Sequence, residues 1–270
     1  MPHTLVTFHA HPDDEAISTA GVMARAAAEG HRVVLVVATR GDHGEVAEGV
    51  LADGERLAGR RVEETRRSAE ILGVARVEFL GYTAAGMMGE PTNDEPGSFW
   101  SADVDEAANR LATILREESA DVLTAYDEHG QYGHPDHIQV HRVGVRAAEL
   151  AATPVVLEAT VNRDHVMRLL RERSGELPEG VEVPDAAEFA DFGTPEAGIT
   201  TTVDVRDFVE QKHASMAAHA SQIGESSFFL ALPPNAFRDA FGFEWFIRRG
   251  AAPGTREAGV FDGVEHHAAR

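Results

Sequence analysis

The chain has 270 residues, with 45 acidic and 24 basic side chains and a formal charge of −21 with histidine neutral. Hydrophobic residues make up 43%, charged residues 26%, and cysteine is absent; this excludes disorder over the whole chain, a disulfide scaffold, cysteine-ligated metal sites and thiol nucleophiles. The charge argues against a nucleic-acid-binding surface and against anionic membranes, and no apolar run approaches the ~20 residues of a membrane span.

The first 160 residues alternate between strand and helix patterns. Leu5 to Phe8 reads as a short buried strand, followed by polar and acidic residues and an alanine-rich helix to about Glu29. Val33 to Ala38 is a continuous apolar run, as a strand covered on both faces requires. Val62, Thr65, Ala69 and Leu72 share one helical face, and Gly73 is a stop signal. Strands are predicted at Val77–Leu80, Val122–Ala125 and Val155–Ala159, with helices marked by Val104, Ala108, Leu111 and Leu115 and by His137 to Leu150. Such alternation implies right-handed βαβ units and a parallel sheet. The expected fold is a single α/β, Rossmann-like domain over residues 1–260, its mostly parallel sheet flanked by helices.

The later part is less regular. Residues 171–199 carry eight acids and three prolines and read as an acidic surface excursion or a lid, since long loops in compact domains are often functional. A strand is predicted at Thr200–Val205, a helix from Asp207 to about Ala220 and a last strand at Phe243–Ile247. Residues 261–270 read as a flexible tail. Residues 1–10 lack a basic and apolar leader pattern, which predicts a cytoplasmic protein.

Two segments carry chemistry. His9-Ala10-His11-Pro12-Asp13-Asp14-Glu15 directly follows the first strand, and Tyr132-Gly133-His134-Pro135-Asp136-His137 follows the strand ending at Ala125. Both fall in βα loops, at the strand ends where open parallel sheets bind ligands. Histidine and aspartate supply the nitrogen and oxygen donors of a catalytic zinc site with three protein ligands. His11, Asp14 and one histidine of the second segment would complete such a set. Asp13 would then be free to act as a base in metal-assisted hydrolysis. A plainer account is open for each segment: Asp13 or Asp14 as a helix N-cap, and Pro135 and Asp136 as first-turn residues.

The pair AHPDDE and GHPDH resembles the LmbE-like or PIG-L family of zinc-dependent N-deacetylases, which act mostly on N-acetylglucosamine-type sugars. The family includes a mycothiol-pathway deacetylase and a mycothiol S-conjugate amidase. The resemblance extends from Leu5 to about Ile223, with Arg61-Val62-Glu63-Glu64 similar to the family's R-x-x-E helix and Lys212 to Gln222 similar to its later K…H-x-S-Q element. It implies His11, Asp14 and His137 as zinc ligands, with iron(II) fitting the same donors. It further implies Asp13 as general base, Tyr132 as oxyanion donor and His134 as a helper through its charge or as proton donor to the leaving amine. Asp136 would orient a histidine, and Arg61 would lie near the substrate sugar. Ala84-Ala85-Gly86 stands where the family often has Asp-Ser-Gly, so one hydroxyl contact would be missing.

The activity implied is removal of an acetyl or other acyl group from the amine of an N-acyl amino sugar or related natural product. Alternatives are an amidase on bulkier conjugates such as mycothiol conjugates, or a non-catalytic metal- or sugar-binding module. A nucleotide-binding protein is disfavoured, because neither G-x-G-x-x-G after the first strand nor a P-loop is present. The expected partner is a small molecule, with no nucleic acid and no membrane, and a homo-oligomer left open. His9 is expected to be packed rather than a ligand. Glu15 reads equally as a carboxylate behind the site or a helix-end charge, and His219 reads equally as lying near the pocket or away from it.

Overall fold

The computed structural model describes residues 1–46, 50–172, 192–225 and 227–264. Most of the acidic excursion and the last six residues of the predicted tail fall outside the described residues.

The elements run β1 (Thr4–His9), α1 (Asp14–Ser18), α2 (Ala20–Ala28), β2 (Arg32–Thr39), α3 (Leu57–Leu72), β3 (Arg76–Tyr82), α4 (Val104–Glu117), β4 (Val122–Tyr126), a helical turn α5 (Gly130–Gly133), α6 (Pro135–Ala151), β5 (Val155–Thr160), α7 (Arg163–Glu172), β6 (Thr201–Asp204), α8 (Val209–Ala218), α9 (Phe228–Ala231), α10 (Pro234–Phe241) and β7 (Phe243–Arg248). One seven-stranded sheet has the order β3-β2-β1-β4-β5-β7-β6. Its first five strands are parallel, and β7 runs antiparallel to both β5 and β6. The apolar run of β2 is buried from Val33 to Thr39, as two-sided helix cover demands.

The chain leaves β1 for β2 and β3, then returns to lay β4 on the other side of β1, with Leu5 opposite Val122. This reversal opens a crevice at the carboxyl ends of β1 and β4. The two histidine-rich segments emerge there. Helix α6 can lie close on the sheet because residue 144 is glycine: a Cβ there would sit 2.7 Å from Ala125 Cβ.

Three details differ from the sequence reading. The alanine-rich helix is two helices, α1 and α2, broken at Thr19, whose hydroxyl bonds His9 Nε2 at 2.9 Å. The first turn of α2 is capped from a distance: Gly21 and Val22 N–H both donate to Glu244 of β7 at 2.8 Å, placing a carboxylate at the positive helix end. Helices α7, α9 and α10 were not foreseen. Phe261, assigned to the tail, packs its ring 4.3 Å from that of His31. Among the described residues no helix is long and apolar enough to cross a membrane.

Candidate metal centre and active site

The first loop turns sharply out of β1. Asp13 has φ 99° and ψ −30°, a conformation costing a non-glycine residue about 1–3 kcal/mol. That turn has a consequence for the side chains. Neighbouring residues on a regular strand or helix point apart, yet Asp13 and Asp14 both line the same cavity. Neither carboxylate caps α1; instead the Asp14 carboxylate accepts from His11 N–H at 2.8 Å. His9 is fully buried between Tyr126 Oη at 2.8 Å and Thr19 Oγ1 at 2.9 Å, a packed histidine rather than a ligand.

The second loop is fastened by Asp127, which the sequence reading left without a role. Its carboxylate accepts from His129 N–H, Gln131 N–H and the Thr160 hydroxyl at 3.1, 2.9 and 2.6 Å. Gln131 is held at φ 65° and ψ −55°, which lifts Tyr132 out of the turn. Pro135 then begins α6, with His134 as N-cap: its Nδ1 accepts from Asp136 N–H at 3.1 Å. The plainer account of Pro135 therefore holds as local structure, and the ligand geometry is built on top of it.

His11, Asp14 and His137 converge. Asp14 Oδ2 lies 3.4 Å from His11 Nδ1, and Asp14 Oδ1 lies 3.4 Å from His137 Nε2. One donor atom from each of the three lies within 4.8 Å of the others, close enough for them to share one ion. His11 Nε2 lies 3.0 Å from Asp136 Oδ2; donating there leaves Nδ1 free to face Asp14. Asp136, fully buried, thus has the place that an orienting carboxylate would take if His11 held a metal. Its Oδ2 also accepts from Ala85 N–H at 2.7 Å, so the Ala84-Ala85 loop reaches the centre through its backbone. His137 Nδ1 and Asp136 Oδ1 are buried with no hydrogen-bond partner among the described residues, unmet polar capacity that marks a functional site. The residues present fit a metal ion. His11, His134 and Asp136 form a second grouping of donors on the other side of His11.

Electrostatics divide the neighbours. Burial works against the Asp14 anion, but His137 and His11 outweigh it and hold its carboxyl well below the usual range. Burial pushes Asp13 the other way; Arg61 pulls partly back and the Asp14 charge adds to the rise. Burial also opposes the His11 cation, but Asp136 and Asp14 raise its pKa to about 10. His134 is pushed down to about 4 by burial and by His11 and His137. Tyr132 stands at the cavity mouth, 46% exposed, with its hydroxyl 3.4 Å from His137 Nε2. Its pKa is raised by burial and by the carboxylates of Asp14, Asp13 and Asp136, so the phenol stays a donor.

Arg61 is 4% exposed and faces the loop: Nη2 donates to Pro12 C=O at 2.5 Å and to Asp13 Oδ2 at 3.2 Å, and Nη1 donates to Gly41 C=O at 3.0 Å. Arg40 and Asp42 are exposed beside it. Three polar residues of the later element each meet a different carboxylate. Lys212 pairs with Glu244 at 2.5 Å, His219 with Glu15 at 2.6 Å, and Ser221 with Glu64 through both its N–H and hydroxyl. His219 is therefore behind the site, outside the cavity lining. The cavity beside Asp13 and Asp14 measures about 690 Å³ and is lined also by Gln131, Tyr132, Leu169, Phe241 and Trp245. The size suits a small-molecule substrate, and α7 and α10, missed in sequence, supply much of its apolar wall.

Comparison with known proteins agrees with this geometry. The chain is 42% identical over 282 residues to the 1D-myo-inositol 2-acetamido-2-deoxy-alpha-D-glucopyranoside deacetylase of Thermomonospora curvata, with 95% of each chain covered. It is 41% identical to the corresponding deacetylase 1 of Catenulispora acidiphila, covering 93% of this chain and 85% of that protein. The fold matches N,N'-diacetylchitobiose deacetylase from Pyrococcus horikoshii with a TM-score of 0.57 at 22% identity, over 93% of this chain and 84% of that one. Residues 6–148, which contain both histidine-rich loops, match the family described as PIG-L, GlcNAc-PI de-N-acetylase. The chain belongs to the PIG-L family and is a deacetylase of that family, a hydrolase of N-acetyl amides.

Proposed function

We propose that this protein removes the acetyl group of a hexosamine joined to inositol, the substrate in the names of its relatives at about 40% identity, and that the ion used is zinc. The observation that carries the reading is the split between adjacent carboxylates: Asp14 faces His11 and His137, whereas Asp13 faces Arg61, and both line one cavity. One carboxylate can hold a metal while the other handles a proton. His11, Asp14 and His137 would hold the zinc, which when bound supplies a Lewis acid that activates water and polarises the amide carbonyl. Two histidines and a carboxylate suit iron(II) as well; zinc is the reading the family supports.

Asp13 takes the proton of the attacking water as general base. Tyr132, at the cavity mouth, turns its hydroxyl to the carbonyl oxygen and donates to the charge developing there, a contact of the kind worth about 3–4 kcal/mol. His134, with Nδ1 occupied by Asp136 N–H, presents Nε2–H as a hydrogen-bond donor to the reacting group, and Asp13 returns to the departing amine the proton it took from water. Arg61 keeps Asp13 in place while the sugar binds beside it. One functional unit spans residues 1–260 in this reading.

The test is release of free amine from the N-acetylglucosaminyl inositol and from an N-acetyl sugar panel by zinc-reconstituted protein. Turnover that stops with chelator, returns with zinc and drops at least about 100-fold in Asp13→Asn is the expected result. Full activity of zinc-loaded, folded Asp13→Asn would overturn the assignment of the base, and tight zinc binding without turnover would overturn the activity.

A further inference from the structure

We propose that Glu15, anchored by His219 and Ser68, is a positioning residue that holds the Asp13 backbone in its turned conformation and so aims the base. The proposal rests on the reading of Asp13 as the base. Asp13 N–H donates to Glu15 Oε2 at 3.0 Å. The other oxygen, Oε1, accepts from His219 Nε2 at 2.6 Å and from the Ser68 hydroxyl at 2.7 Å. Ser68 in turn shares a hydrogen bond with the Ser215 hydroxyl at 2.7 Å. Glu15, Ser68, Ser215 and His219 are all fully buried. They come from α1, α3 and α8 and the C-cap of α8, so a single carboxylate ties three helices to one peptide N–H.

None of these four side chains lines the cavity, and none can touch substrate from where it stands. Their effect must pass through Asp13. The positive φ of 99° at Asp13 is what lets it and Asp14 face the cavity together. A residue relaxes from such a φ unless its surroundings hold it. Arg61 grips the Pro12 carbonyl and the Asp13 side chain, and Glu15 grips the peptide N–H between them. Substituting a residue that cannot accept frees that N–H and lets the turn relax, moving the Asp13 carboxylate while the donors on Asp14, His11 and His137 stay.

The experiment compares Glu15→Ala, Glu15→Gln and Ser68→Ala in the zinc-loaded enzyme, each also in an Asp13→Asn background. Glu15→Ala is expected to lower kcat about 100-fold, the scale on which misplacement by an ångström acts, with KM within about twofold and one equivalent of zinc retained. Glu15→Gln keeps a carbonyl acceptor for Asp13 N–H and is expected to recover about tenfold of that loss. In the Asp13→Asn background, Glu15→Ala is expected to cause no further loss, because residues acting through one group are not additive. A crystal structure of Glu15→Ala should show Asp13 out of the positive φ region.

Unchanged kcat in Glu15→Ala, while Asp13→Asn is impaired, overturns the proposal and leaves the base standing. Equal losses from Glu15→Ala in both backgrounds also overturn it, since the effect would then bypass Asp13. Should Glu15→Ala fail to fold, Ser68→Ala removes one of the two donors on Oε1; a several-fold loss in kcat at constant KM supports the proposal, and an unchanged kcat overturns it. Full activity of Asp13→Asn would instead sink the base reading, and the φ of Asp13 in the variant crystals then decides the support on its own.

Discussion

The backbone N–H of Asp136 donates to Nδ1 of His134 at 3.1 Å, and this one bond fixes which ring nitrogen of His134 carries the proton. With Nδ1 accepting, the neutral ring holds its hydrogen on Nε2. The same contact makes His134 the N-cap of α6, so one side chain both starts a helix and serves the site. The two roles separate by substitution. His134→Asn keeps a capping acceptor and loses the Nε2–H donor, and is expected to lower kcat by about 10²–10³ with Tm nearly unchanged. His134→Ala should lose the same activity and about 1 kcal/mol of stability as well. Kinetics and thermal melts of the two proteins check both halves.

Gly41 and Arg61 are in direct opposition. Gly41 has φ +64°, and a Cβ there would lie 2.1 Å from Arg61 Nη1 and 2.4 Å from Cζ. Arg61 is buried, so its guanidinium has to leave Pro12 and Asp13. Gly41→Ala is expected to cut kcat about 10- to 100-fold and cost about 1–3 kcal/mol. Gly30→Ala is the control: its φ is +84°, and nothing lies within 4 Å of the added methyl. It should lose stability from backbone strain alone and keep its kcat.

The Gln131 turn should show a trade between stability and activity. Its φ of 65° and ψ of −55° cost about 1–3 kcal/mol. Glycine relieves that strain and gives back about 0.5–1 kcal/mol through chain entropy. The buried Gln131 side chain and its bond to Ser18 Oγ at 3.3 Å are lost as well, so Gln131→Gly is expected to raise Tm by no more than about 2 °C. The turn presents Tyr132, so a freer hinge should lower kcat. A variant that melts earlier than the parent would contradict the strain argument.

Legibility in the sequence followed burial. The runs Leu5–Phe8, Val33–Ala38 and Val122–Ala125 were readable because parallel strands covered on both faces must be apolar throughout. The meeting of the two histidine-rich loops was readable because both follow parallel strands on one sheet edge, whereas the choice of His137 over His134 rested on the family resemblance alone. The antiparallel direction of β7 was not readable, since pairing of Phe246 with Ala159 and Thr201 is set across the fold and leaves no local periodicity. Helix α7 was missed because Arg163–Glu172 is mostly charged, its Val166, Leu169 and Leu170 facing the cavity. The turned backbone of Asp13 was invisible for a different reason: no glycine marks it. Glu15 and His219 gave a signal only as motif members, and their pairing over 204 positions is a tertiary fact.

Away from the site, Glu118 sets part of the acid limit of the fold. It caps the end of α4 and takes hydrogen bonds from Arg32 of β2, with Nη2 at 3.1 Å, and from Arg76 of β3 at 2.9 Å. The Arg32 bonds are the main reason its pKa falls to about 2, with burial opposing and Arg76 assisting. The folded value is below the ordinary 4.5, so the unfolded chain binds this proton first as pH drops. The stabilisation is complete above pH 4.5 and is lost as pH falls through about 2. Arg32 is 46% and Arg76 29% exposed, and solvent screening holds the contribution to about 1 kcal/mol. Glu118→Gln is therefore expected to melt about 2–4 °C lower at pH 7, with the gap shrinking below pH 4.5 and closing near pH 2. Added salt should narrow the gap at pH 7, because half-exposed charges are screened. A gap that stays constant from pH 7 to pH 2 would assign the loss to packing rather than to charge.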